Sequence, residues 1–222
     1  MSIGNVMQQM LDRINVQFPL TEESAGEFAN LKAKGMKFQI KKYHAKGLGS
    51  VSVMEAKGFF GLMQMDTLIV NPLEKDLPLL SYDRVLAMGN DTLIIELYDT
   101  FIEKQDLLEL KAWKEENKEL PEHDLGKHWY DNIKLAESVS KKGKKEHSDA
   151  FHKFTAMYFD KYLDGRGAKT IVSDINAKRK KASVYVEGLL SNGGPSTDVF
   201  MKEFGESQTA KLFRQVLFGT EK

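Results

Sequence analysis

The chain reads as an α+β protein: a three-layer α/β/α sandwich with a central antiparallel β-sheet, a meander, flanked by helices. Two observations predict it. Apolar residues recur at helical spacing before residue 36 and after residue 103, but between 36 and 101 they alternate with polar ones at a period of two. The apolar runs of that middle zone are joined by segments too short for helical crossovers, so consecutive strands must pair antiparallel. The 222 residues suit one domain, 1–222, with N-terminal helices over 1–35, the sheet over 36–101 and helices over 103–222.

The elements follow in order. Ile3, Val6, Met7, Met10, Leu11 and Ile14 form one face of a first helix, closed near Pro19. Thr21, followed by Glu23 and Ser24, gives a start signal for a weaker second helix that Gly35 would end. MKFQIKKYHA then alternates Phe38, Ile40 and Tyr43 with polar partners, and SVSVMEA repeats the pattern after Gly47 and Gly49. FFGLMQMDTLIV, LLSYDRVLAM and DTLIIELYDTF complete five strands, with Gly89-Asn90-Asp91 as a hairpin turn. Five helical stretches come next: KQDLLELKAWKEEN, HDLGKHWYDNIKLAESV, HSDAFHKFTAMYFDKYLD, TIVSDINAKRKKASVYVEGLL and STDVFMKEFGESQTAKLFRQVLF. Gly165, Gly167 and the SNGGP segment at 191–195 separate them, and KKGKK at 141–145 reads as a flexible linker.

Composition removes several chemistries. With no cysteine there is no disulfide framework, thiolate zinc site, thiol nucleophile or cysteine-held iron–sulfur cluster. Thirty-two cationic residues balance 32 anionic ones, which argues against broad nucleic-acid binding. No apolar run is long enough to span a bilayer, and the first residues lack the layout of a signal peptide, so a cytoplasmic protein with no membrane partner is expected. No Gly-rich phosphate loop or G-x-S-x-G elbow is present. His123 and His128 lie near Glu122 and Asp124, but exposed loop residues are the better reading, and no metal site is expected.

The carboxylates of the sheet zone carry the remaining signal. Asp66 interrupts GLMQM-D-TLIV, Asp83 interrupts LLSY-D-RVLAM, and Glu55 closes the preceding strand. Alternation puts Met63, Met65 and Thr67 on one face and Gln64, Asp66 and Leu68 on the other. A carboxyl among apolar neighbours is desolvated and can hold a proton near neutral pH, as a general acid must. The plain alternative for each is a strand-end carboxylate facing water. Phe59, Phe60, Met54, Met63 and Met65 suit the floor of a flat conjugated ligand, or ordinary core packing.

These residues resemble the ferredoxin-dependent bilin reductases. Asp76-Leu77-Pro78 and Asp83 match the family's D-L-P-x-F-G-x-D spacing, and Phe204-Gly205, Ala210 and Leu217-Phe218 match its last helix. The resemblance implies an α/β/α sandwich that holds a linear tetrapyrrole between sheet and C-terminal helices. It also implies reduction by an external ferredoxin, with no tightly bound cofactor. By the same resemblance Asp83 is the proton donor, Glu55 stands for the family's strand glutamate, and Asp66 stands where members carry histidine or asparagine. Asn192 is kept in the break before the last helix, but the aspartate expected beside it is absent from Ser191-Asn192-Gly193-Gly194-Pro195, Ser81 replaces a glycine, and the last helix lacks the family tryptophan. Catalytic roles therefore fall to Asp83, Asp66 and Glu55, and substrate binding to Asn192, Arg84, Met65 and Phe60. Lys41, Lys42, Arg179 and Lys181 are further cations for propionates, and KKGKK and KRKK suit an acidic ferredoxin. The alternatives are a non-catalytic tetrapyrrole or hydrophobic-ligand binder with the same fold, and a reductase of opened chlorophyll-type tetrapyrroles.

Overall fold

The computed structural model describes residues 3–103 and 105–221. Helix α1 (Ile3–Gln17) lays Val6, Met10 and Ile14 on the sheet, as its apolar stripe requires. The expected meander is present as β3 (Met36–Ala45), β4 (Gly49–Gly58), β5 (Met63–Asn71), β6 (Leu79–Ala87) and β7 (Asn90–Tyr98), all antiparallel.

Three further strands correct the sequence reading. The second helix expected over 21–35 is instead β1 (Leu20–Glu23), a short turn and β2 (Asn30–Ala33), which share the outer edge of β3. That stretch has no helical apolar stripe, and the unpaired backbone of β3 gives it a better partner. At the other edge, β8 (Val139–Lys144) pairs with β7 where a helix and a flexible linker were expected. Lys141 in KKGKK is fully buried, its ammonium donating to Leu120 O at 3.1 Å and Glu122 Oε1 at 2.6 Å. No helix forms over 123–138, because Asp124 and Asp131 side chains accept from the amides of Gly126 and His128 and hold turns there. The sheet order is β1-β3-β4-β5-β6-β7-β8, with β2 also on β3.

Each sheet face carries a helical layer. Against one pack α1, α2 (Leu108–Glu116) and α3 (Ser148–Asp164), burying Leu68, Tyr82 and Ile95 with Phe151, Phe154 and Tyr158. After the single turn α4 (Arg166–Lys169) come α5 (Ile175–Asn192), α6 (Pro195–Lys211) and a π-helical segment, Leu212–Leu217. These bury Tyr185, Phe200 and Phe213 against Phe38, Met54 and Ile69 on the opposite face. No helix among the described residues is long and apolar enough to cross a membrane.

Polar anchors position the second layer. Asp76 accepts from the amides of Ile102 and Glu103, each at 2.8 Å, and pairs with the fully buried Lys178 of α5 at 3.1 Å. Tyr162 of α3 donates to Pro78 O, so the Asp76-Leu77-Pro78 motif ties both layers to the start of β6. At the C-terminus, Ser52 and Asn71 donate to the carbonyls of Leu217 and Phe218, which the end of the helix leaves free.

Candidate active site

Between β4–β7 and the second helical layer lies a cavity of about 210 Å³. The sheet supplies Met54, Met65, Thr67, Ser81, Asp83 and Glu96. Helix α5 contributes Tyr185 and Leu189, the C-terminal segment Phe213 and Leu217, and the 123–138 loop His128 and Tyr130. Its lining is largely apolar, with two carboxylates and, among the described residues, no lysine or arginine. A larger hollow, about 450 Å³, opens at the sheet edge among exposed Glu22, Glu23 and Lys41 with half-buried Glu55, none of which lines the cavity.

Asp83 is the protonatable centre of this cavity. Thr67 Oγ1 donates to its Oδ1 at 2.5 Å from the paired position on β5, and Ser81 Oγ donates to its Oδ2 at 3.3 Å. Burial pushes the carboxyl up to about 6; the nearby Glu96 charge adds to the rise, and the Thr67 and Ser81 donors oppose it. Asp83 still presents surface to the cavity, so a proton it carries is within reach of a molecule bound there.

Glu96 stands across from Ser81 on β7. Tyr98 donates to the Glu96 Oε2 at 2.5 Å; the buried Glu96 Oε1 has no hydrogen-bond partner among the described residues and lies 3.7 Å from Lys134 Nζ. Tyr98 stacks on Tyr185 with ring centroids 3.9 Å apart, and His128 stacks on Tyr130 at 4.9 Å. The buried Nδ1 of His128 likewise has no hydrogen-bond partner. The wall thus combines aromatic faces, a carboxyl that protonates near neutrality and unsatisfied polar atoms, which together can hold a flat conjugated molecule and move protons at its edge.

Of the seven site residues expected from the sequence, Asp83 and Met65 line this cavity. Asp66, Glu55 and Arg84 form one cross-strand row on the opposite face of the sheet. There Arg84 makes a bidentate pair with Asp91, at 3.0 and 2.7 Å, and donates to Ser148 O. Asp66 is fully buried, with its Oδ2 unpartnered among the described residues and its carboxyl pushed up to about 6 by burial, yet it faces the first helical layer. Asn192 turns back to donate to Gly188 O, and Phe60 stands wholly in solvent at a hairpin tip with Phe59. The further cations lie elsewhere: Lys41 pairs with Glu22, Lys42 with Glu23, Lys181 donates to Phe101 O, and Arg179 borders another hollow.

On its own face Asp83 is followed across the strands by Thr67 and Met54, not by Asp66 and Glu55. Sequence reasoning passed over Glu96, although DTLIIELYD places Thr92, Ile94, Glu96 and Tyr98 on one face by simple alternation. His128 and Tyr130 carried no such signal, because irregular backbone delivers them.

An open antiparallel sheet between two helical layers, with a carboxyl-bearing apolar cavity under the C-terminal helices, defines a three-layer α/β/α sandwich with an internal cavity. The same fold is found in phytochromobilin synthase from tomato, solved in complex with biliverdin. The two superpose with a TM-score of 0.80 at 13% identity over 99% of this chain and 83% of that one. The likeness establishes a shared fold, the one that the family resemblance implied. No protein-family model and no curated protein sequence matches the chain.

Proposed function

We propose that the cavity binds a linear tetrapyrrole and that Asp83 donates a proton to it during reduction by an external one-electron donor of the ferredoxin type. The supporting observation is the Asp83 carboxyl itself, held at about 6 in an apolar cavity. At pH 7 about one tenth of such groups carry the proton, against roughly one in a thousand for an ordinary carboxyl. Reducing one double bond takes two electrons from the donor and two protons. Asp83 gives one, and Glu96 and His128 are the lining groups that can relay the second. Biliverdin in the tomato enzyme of the same fold supports the ligand class.

Adding biliverdin to the purified chain should sharpen and shift its visible absorption. Absence of both a spectral change and a thermal shift at roughly tens of micromolar bilin refutes the ligand class. Under anaerobic conditions with reduced ferredoxin, the bilin spectrum should then convert to that of a reduced product.

One observation favours a second reading, a tetrapyrrole or hydrophobic-ligand binder without turnover. Among the described residues the lining holds two carboxylates and no cation, so propionates gain no partner from them inside it. Binding without product in the anaerobic assay selects this reading.

A further inference from the structure

The cavity does not use the far end of the sheet. The register Met36–Gly58–Met63–Ala87–Asn90–Lys144 runs straight across six strands, so three hairpin tips and the end of β8 share one rim. Phe59, Phe60, Leu62 and Met88 project from it, with relative exposures of 54%, 109%, 68% and 89%. Folding gains nothing from apolar side chains placed there.

Backbone conformation makes the choice more pointed. Among the described residues, the positive-φ residues other than glycine are Lys34, Phe59, Phe60 and Met88, all on these tips. Left-handed turn positions favour Gly or Asn and penalise bulky side chains. A turn selected only to reverse the chain would not place two phenylalanines and a methionine at them.

Charge surrounds the apolar tips. Lys32, Lys37 and Lys57 lie directly opposite one another across β2, β3 and β4, an arrangement that like-charge repulsion disfavours. Together with Glu55, whose carboxylate lies 4.0 Å from Lys57 Nζ, they line a hollow of about 310 Å³ beside the Phe59–Phe60 turn. With Lys34, Lys144 and Lys145 the rim presents six exposed lysines, with Glu55 and Glu146 as its nearby acids.

We infer that this rim is a docking surface for an anionic lipid bilayer. The protruding phenylalanines, leucine and methionine enter the headgroup–acyl boundary, the lysines meet lipid phosphates and carboxylates, and the Lys32–Lys37–Lys57 hollow takes a headgroup phosphate. Isolated apolar tips that stand out of the surface suit a soft interface better than a rigid protein face, which needs shape-matched area. No spanning segment is required, and the inference is independent of the tetrapyrrole reading.

The test sediments the full chain with vesicles of phosphatidylcholine alone and with about one third phosphatidylserine. The chain should pellet with the anionic vesicles alone and be released by high salt. Phe60→Asn with Met88→Asn suits the left-handed turns, so the fold should survive with unchanged circular dichroism while the bound fraction drops about fivefold or more. The absence of cysteine allows a single reporter: a polarity-sensitive fluorophore on Met88→Cys should brighten and shift blue with anionic vesicles, whereas one on Val16→Cys, exposed on α1, should not. Failure to pellet, or pelleting that the double substitution leaves unchanged, overturns the inference. So does a dimer that the same substitutions dissociate in the absence of vesicle binding, which would make the rim a self-association surface.

Discussion

Asp66 and Asp83 lie one register step apart on β5 and β6 and face opposite cores: Asp83 pairs across the strands with Thr67, and Asp66 with Arg84. Burial pushes both carboxyls up to about 6. Their acidities are alike, and the pleat alone decides which one meets a cavity. A shifted carboxyl marks a place where charge is costly; it becomes a catalytic candidate only where a ligand can reach it.

Asparagine substitutions should separate the two. Asp83→Asn keeps the size and the polar contacts but removes the proton, so bilin binding should persist while ferredoxin-driven turnover falls about 10²–10⁴-fold. Asp66→Asn should leave turnover within about threefold of the parent, since its side chain lies on the sheet face away from the cavity. Single-turnover spectra under anaerobic conditions read both, and equal losses in the two variants would remove the face argument.

Asp66 should instead appear in the pH dependence of stability. Its carboxyl titrates near 6 when folded and near 3.8 when unfolded, so between those values the native state binds more protons. Unfolding free energy then decreases as pH rises from about 4 to 6 and is level above, with Asp66 contributing at most about 3 kcal/mol. Asp66→Asn abolishes that contribution. Urea unfolding from pH 4 to 7 should show a difference between parent and variant that changes across this window; a constant difference would mean that Asp66 is ionised in the folded chain throughout.

Glu96 tunes Asp83 from across the strand. Its negative charge is one cause of the raised Asp83 carboxyl, secondary to burial. Glu96→Gln should therefore move the alkaline limb of the turnover profile, where Asp83 loses the proton it donates, below 6 while leaving it above the ordinary 3.8. The profile, or the carbon-13 shift of the Asp83 carboxyl during titration, measures this. A limb that stays in place would show that Lys134, 3.7 Å from Glu96, already neutralises its field.

The meander and the outer helices were legible because their signals are local. Phe38, Ile40 and Met54 alternate, Val6 to Ile14 recur at helical spacing, and glycines and prolines punctuate the breaks. Strands β1, β2 and β8 were not, because β3 and β7 recruit them as edge partners and the signal lies in another part of the chain. The site divided in the same way. Asp83 stood out as a carboxylate within an apolar strand, and so did Asp66, but linear spacing cannot say which face of a twisted sheet will lie under the C-terminal helices. Counting back along the chain led to Asp66 and Glu55, whereas the register leads to Thr67 and Met54. Arg84 is a cation in the right segment, already committed to Asp91.

The wall that closes the cavity rests on one glycine. A Cβ at Gly188 of α5 would fall 2.1 Å from Trp129 Cη2 and 2.3 Å from Cζ3, far inside contact distance. Trp129 in turn donates to Gly193 O at 3.2 Å and stacks near Tyr185, so it clamps the SNGGP break against the aromatic wall. Alanine in place of a helical glycine normally gains about 1 kcal/mol of helix propensity. Here overpacking costs about 1–3 kcal/mol and displaces the indole, so the clash prevails. Gly188→Ala should lower the melting temperature, and by releasing Trp129 and Tyr185 it should weaken bilin binding about tenfold or more, at ~1.4 kcal/mol per decade. Thermal unfolding and bilin titration test the two effects. A variant more stable than the parent would show that Trp129 does not rest on Gly188.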